Sequence, residues 1–85
     1  MYRILFTKSA SRAMRTIPRD VAQRIRDRLG QIAADPYVDH SNVTRLQNRP
    51  GYRLRVGDWR VLYELEREQL VVIVFRVGSR GEAYR

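Results

Sequence analysis

Gly51-Tyr-Arg-Leu-Arg-Val-Gly-Asp-Trp-Arg-Val-Leu-Tyr-Glu64 reads as two alternating strands joined by the two-residue turn Gly57-Asp58. Glycine supplies the positive φ that short hairpin turns require. Closing the hairpin there sets Val56 opposite Trp59, Arg55 opposite Arg60 and Leu54 opposite Val61. Residues directly opposite share a face, so Arg53, Arg55 and Arg60 gather on one side while Tyr52, Leu54, Val56, Trp59, Val61 and Tyr63 line the other. Like charges placed opposite each other destabilise a sheet on the scale of cross-strand pairs, about 0.2–1 kcal/mol. A chain that keeps them there is expected to meet an anionic ligand on that face.

Outward from the hairpin, residues 2–7 predict a first strand with Ile4, Leu5 and Phe6 as its apolar centre. A short helix is expected from Ser9 to Arg15, with Ala10, Ala13, Met14 and Ile17 at helical spacing. Pro18 suits the first turn of a second helix running to about Ala34, whose stripe is Val21, Ile25, Leu29 and Ile32. Its opposite side carries Arg19, Arg24, Arg26, Asp27 and Arg28, a solvated face. Asp35-Pro36 ends that helix, because a residue before proline avoids helical geometry. Residues 36–50 are polar and read as a loop or an ordered excursion. Arg67-Glu68 forms the next turn, and Gln69 to Val77 is apolar on both sides, as a central strand should be. The tail from Gly78 onward is too short and glycine-rich for much regular structure.

The expected architecture is therefore α+β, one domain over residues 1–85, in the order β-α-α-β-β-β. Two N-terminal helices pack on one face of a mostly antiparallel four-stranded sheet. The other face holds the three arginines with Leu62, Val71, Ile73 and Phe75, and no further helix is left to cover that apolar strip. An uncovered patch of this kind marks a partner surface.

The 85-residue chain carries 17 Lys and Arg against 9 Asp and Glu, a net charge of +8 that calls for a polyanionic partner, RNA or DNA first. All but Lys8 of those cations are arginine, whose planar fork suits bidentate phosphate contacts. With no cysteine there is neither a disulfide framework nor a thiolate metal site, and His40 has no second histidine to join it. Neither a membrane-spanning run nor a signal peptide is evident, so the expected compartment is the cytoplasm. His40 reads as an exposed loop residue, and Glu64, Glu66 and Glu68 as solvating charges near a turn. Glu82, close to Arg80 and Tyr84, reads as half of a salt bridge in the tail.

What remains for chemistry is arginine and tyrosine. That set suits RNA cleavage by attack of a 2′-hydroxyl on its adjacent phosphate, which needs no metal or cofactor if donors stabilise the charge building on phosphorus. An aromatic ring can hold the base by stacking. Composition alone leaves open a simpler role for Arg53, Arg55 and Arg60 as a basic RNA-docking face.

Tyr52-Arg-Leu-Arg-Val-Gly-Asp-Trp-Arg-Val-Leu-Tyr-Glu64, followed by Val77-Gly-Ser-Arg80 and Glu82-Ala-Tyr84, resembles the RelE-type toxins of the RelE/ParE toxin–antitoxin superfamily over essentially the whole chain. The resemblance implies a ribosome-dependent messenger endoribonuclease that enters the ribosomal A site. It implies a cognate antitoxin that neutralises the toxin and couples it to operator DNA. By the same resemblance, Arg53 and Arg55 hold the substrate backbone, Arg60 braces the scissile phosphate, Arg80 contacts the transition state or the leaving oxygen, and Tyr84 stacks on a nucleotide. Two departures stand out. The alternating basic pair is lysine in relatives but Arg53 and Arg55 here, and arginine is a poor proton acceptor at neutral pH. The segment beyond Arg80 is also short. The alternatives are a gyrase-inhibiting toxin of the ParE branch on the same fold, or a non-catalytic basic RNA-binding module.

Overall fold

The computed structural model describes residues 1–79. The chain runs β1 (Arg3–Phe6), α1 (Lys8–Thr16), α2 (Arg19–Ala34), β2 (Val43–Arg45), β3 (Tyr52–Val56), β4 (Trp59–Glu66) and β5 (Val71–Ser79). The strands form one mixed sheet in the order β1-β5-β4-β3-β2, with β1 parallel to β5 and the remaining pairs antiparallel. This is the expected helix-on-sheet architecture with one strand more. The addition is β2, drawn from the 36–50 excursion and paired to β3 with Thr44 opposite Arg53.

Both helices begin and end for local reasons. The Thr7 side chain accepts the Ala10 backbone N–H at 3.2 Å and caps α1. Ile17, held extended ahead of Pro18, stops it. Pro18 sits at the cap of α2, one residue earlier than the helical position expected for it. At the far end, His40 Nε2 donates to the Asp35 carbonyl at 2.7 Å, closing a helix terminus that would otherwise leave that oxygen to water. His40 is thus a half-buried structural donor, not the exposed loop residue expected.

Val21, Ile25, Leu29 and Ile32 are all buried, against Leu54, Val56, Val61, Tyr63, Val72 and Val74 of the sheet. Ala10 and Met14 of α1 join the same core. Arg28 departs from the charged face assigned to α2. It is half-buried, and its Nη2 donates to the Ser41 carbonyl at 2.5 Å, tying the helix to the loop before β2.

Two further differences have backbone causes. The turn between β4 and β5 takes four residues, 67–70, because Leu70 adopts φ +56°. The last strand therefore starts at Val71 and extends to Ser79, taking in Gly78 and Ser79 that had been assigned to the tail. Within β5, Leu62 pairs with Arg76 and Tyr63 with Val74, so Phe75 is a bulge with no opposite residue. The apolar strip on the outer face is not left open. Leu62 and Val71 are buried, Ile73 and Phe75 half-buried, and the Arg49 guanidinium lies 4.2 Å above the Phe75 ring. Arg49 also reaches Glu64 at 3.8 Å.

Candidate functional site

The hairpin register is as the sequence dictates: Val56 opposite Trp59, Arg55 opposite Arg60, Leu54 opposite Val61. Gly57 supplies the turn with φ +58°. With one sheet face filled by the helices, the alternation drives Arg53, Arg55 and Arg60 to the other. There they line a cavity of about 310 Å³ together with Asn42 and Thr44. Among the described residues the lining side chains are five, none of them a carboxylate.

Strand β2 builds the outer wall of this cavity. Thr44 stands beside Arg53 by register. Asn42, in the left-handed region at φ +63°, accepts the Arg55 backbone N–H at 2.9 Å and faces its guanidinium, with Oδ1 3.5 Å from Nη2. Asparagine tolerates that backbone region better than most residues do. The neighbouring Ser41 is the residue that Arg28 holds, so the α2 contact fixes the turn that presents Asn42.

The Nη1 of Arg60 is shut off from solvent and has no hydrogen-bond partner among the described residues. A buried charged donor left unmade costs about 1–3 kcal/mol or more; Arg28 Nε is buried in the same way, but only the Arg60 group belongs to a residue that lines this cavity. A phosphate oxygen, which accepts forked N–H pairs, matches three converging guanidinium groups.

Sequence reasoning missed one basic residue of this face. Arg76 pairs with Leu62, which pairs in turn with Arg53, so Arg76 lies on the arginine side. The expected alternation along β5 had put Val71, Ile73 and Phe75 there. The bulge at Phe75 shifts the phase, sending Val77 into the core and Arg76 outward. Arg80 and Tyr84 lie outside the described residues, as does Glu82. Ser79, the last residue described, pairs with Trp59 next to Arg60.

Among the described residues, no group of three or more His, Cys, Asp or Glu side chains is placed to hold a metal ion. No helix among them is long and apolar enough to cross a membrane.

Comparison with protein families gives a match over residues 4–84 to the model described as the ParE toxin of type II toxin–antitoxin systems, parDE. The chain belongs to the ParE toxin family. No curated protein matches this ParE-family chain significantly by sequence. Its fold is similar to that of the intact E. coli RelBE toxin–antitoxin complex, with a TM-score of 0.83 at 22% identity, covering 96% of this chain and 100% of that one. The isolated E. coli RelE toxin superposes with a TM-score of 0.82 at 25% identity, over 99% of this chain and 92% of that one. An archaeal RelE–RelB complex from Pyrococcus horikoshii OT3 gives 0.79 at 24% identity, over 96% and 98% of the two chains. The ParE-family chain thus shares the RelE fold.

Proposed function

We propose that this toxin is a ribosome-dependent messenger RNA endoribonuclease, resident in the cytoplasm and neutralised by a cognate antitoxin. The observation that carries this reading is the buried Arg60 Nη1, without a partner among the described residues, in a cavity that they line with two further arginines and no acid. Arg53 and Arg55 hold the phosphodiester backbone, and Arg60 stabilises the scissile phosphate as charge builds on its oxygens. The 2′-oxygen bonds to phosphorus, the bond from phosphorus to the 5′-oxygen breaks, and the products are a 2′,3′-cyclic phosphate and a 5′-hydroxyl. Arg80 supports the leaving oxygen and Tyr84 positions a base. Arginine at both alternating positions leaves the 2′-hydroxyl proton to a ribosomal or RNA group, so free RNA is cut slowly and alignment on the ribosome is required. The antitoxin partner follows from the RelB–RelE complexes that share the fold.

A second reading has its own observation. The matching family model is the ParE toxin's, which favours a gyrase-inhibiting toxin on the same scaffold. Translation in vitro with primer extension on the message separates the two. Cuts that appear only with ribosomes and vanish in Arg60→Ala support the nuclease. Intact message at doses that stop growth, with supercoiling blocked, establishes the gyrase reading instead.

A further inference from the structure

On the other side of β2 from the arginine cavity lies a second concave region with a different chemistry. Two adjoining cavities of about 300 and 310 Å³ share Tyr37, Arg45 and Tyr52 as common walls. Tyr37 is 51% exposed, and its hydroxyl accepts from Arg67 Nε at 2.9 Å and from the Tyr2 hydroxyl at 3.1 Å. The Arg67 guanidinium lies 5.1 Å from the Tyr37 ring centre and that of Arg45 lies 6.0 Å from Tyr52. Tyr52 stacks on the buried Tyr63 at 5.3 Å and is thereby fixed in orientation. These are flat, preorganised surfaces: two phenol rings and two guanidinium planes around one trough.

The trough also contains carboxylates, Asp39 on one side and Glu64 on the other. They make it a poor seat for a phosphate, in contrast with the arginine cavity next door, where no described residue contributes a carboxylate. They suit a neutral ring bearing amino groups. Thr44 lines both the trough and the arginine cavity, so the two regions meet across a single strand. A chain that alternates anionic links with flat heterocycles fits this division, and single-stranded RNA is such a chain.

We propose that the trough walled by Tyr37, Tyr52, Arg45 and Arg67 binds an unpaired RNA base whose strand continues over Thr44 into the arginine cavity. The inference rests on the nuclease reading for the direction of the strand, but its chemistry is tested independently of cleavage. The probe is a labelled single-stranded 2′-O-methyl RNA octamer, which cannot react through its 2′-oxygens, compared with an octamer of the same backbone carrying abasic positions. Tyr37→Ala is expected to weaken binding of the base-bearing octamer about five- to hundred-fold and to leave the abasic one unchanged. Tyr37→Phe, which keeps the ring, should bind within about twofold of the parent chain on the same stacking argument. Arg67→Ala serves as the second variant, and circular dichroism verifies that each is folded.

Equal losses for both octamers in Tyr37→Ala, or no loss for either, would overturn the proposal. So would a variant that binds RNA normally and loses only the antitoxin, which makes the trough a protein-docking surface. Arg60→Ala keeps the two readings apart. It should weaken both octamers alike, and if it weakens neither, the phosphate assignment of the arginine cavity fails while the Tyr37 comparison still decides the trough.

Discussion

Asn42 meets Arg55 through both backbone and side chain, accepting the Arg55 N–H at 2.9 Å on its carbonyl and facing the guanidinium with its amide oxygen at 3.5 Å. One residue thus joins β3 to the turn before β2 and leans on an arginine of the cavity. Because Asn42 sits at φ +63°, its two jobs separate by substitution. Asn42→Gly should hold stability within about 0.5 kcal/mol, and Asn42→Ala should cost about 1–2 kcal/mol from left-handed strain. RNA affinity should fall in both, since both lose the side-chain brace. Chemical denaturation paired with RNA titration checks this.

Arg60 should show opposite effects on stability and activity. Arg60→Met removes a buried donor that has no partner among the described residues, so the melting temperature is expected to stay level or rise. Cleavage on the ribosome should drop about 10²–10³-fold, the loss typical of one transition-state donor. A parallel fall in both quantities would make Arg60 a structural residue.

Salt dependence measures the number of phosphate contacts. If Arg55 touches the backbone, Arg55→Ala should flatten the slope of log K against log salt by about one unit. The measurement is anisotropy of a short RNA across a salt series. An unchanged slope removes Arg55 from the substrate path.

Gly51 is a glycine that the fold cannot exchange. Its φ is +125°, and a Cβ there would stand 2.8 Å from the Tyr63 carbonyl oxygen. Gly51→Ala is therefore expected to cost at least about 2 kcal/mol, from strain and from displacing β3 against β4. Gly57→Ala, with open space around its Cβ and φ +58°, should cost about 1 kcal/mol. The difference between the two midpoints in urea is the readout.

Tyr63 sets an alkaline limit. Burial, with help from the neighbouring Tyr52, pushes its phenol well above the ordinary value of 10.0. A raised value in the folded state means that stability is unaffected below pH about 10 and declines above it, because the unfolded chain ionises first. Unfolding free energies measured between pH 9 and 11 should show that decline, and Tyr63→Phe should flatten it.

The legible part of this fold was whatever depends on local period. The hairpin register, the α2 stripe and the joint placement of Arg53, Arg55 and Arg60 all follow from alternation about Gly57 and spacing about Ile25. What escaped was set by non-local or single-residue events. Three residues of β2 carry no periodic signal and become a strand only because β3 offers an edge. The bulge at Phe75 changes the phase of β5 with nothing in the run of apolar residues to announce it, which hid Arg76. Arg28 and His40 looked solvated because their acceptors are backbone carbonyls, of Ser41 and Asp35, which a reading of side chains does not register.

Strand β1 is parallel to β5, with Arg3 beside Val71 and Phe6 beside Val74. The sheet is thus sealed by its two most distant segments, and β1 has no strand partner until β5 has been synthesised. During translation the emerging polypeptide therefore stays an incomplete ribbon through most of its length. Pairing of β4 with β5 also brings Arg76 beside Leu62, so the fourth arginine joins its face only when this late, non-local pairing forms.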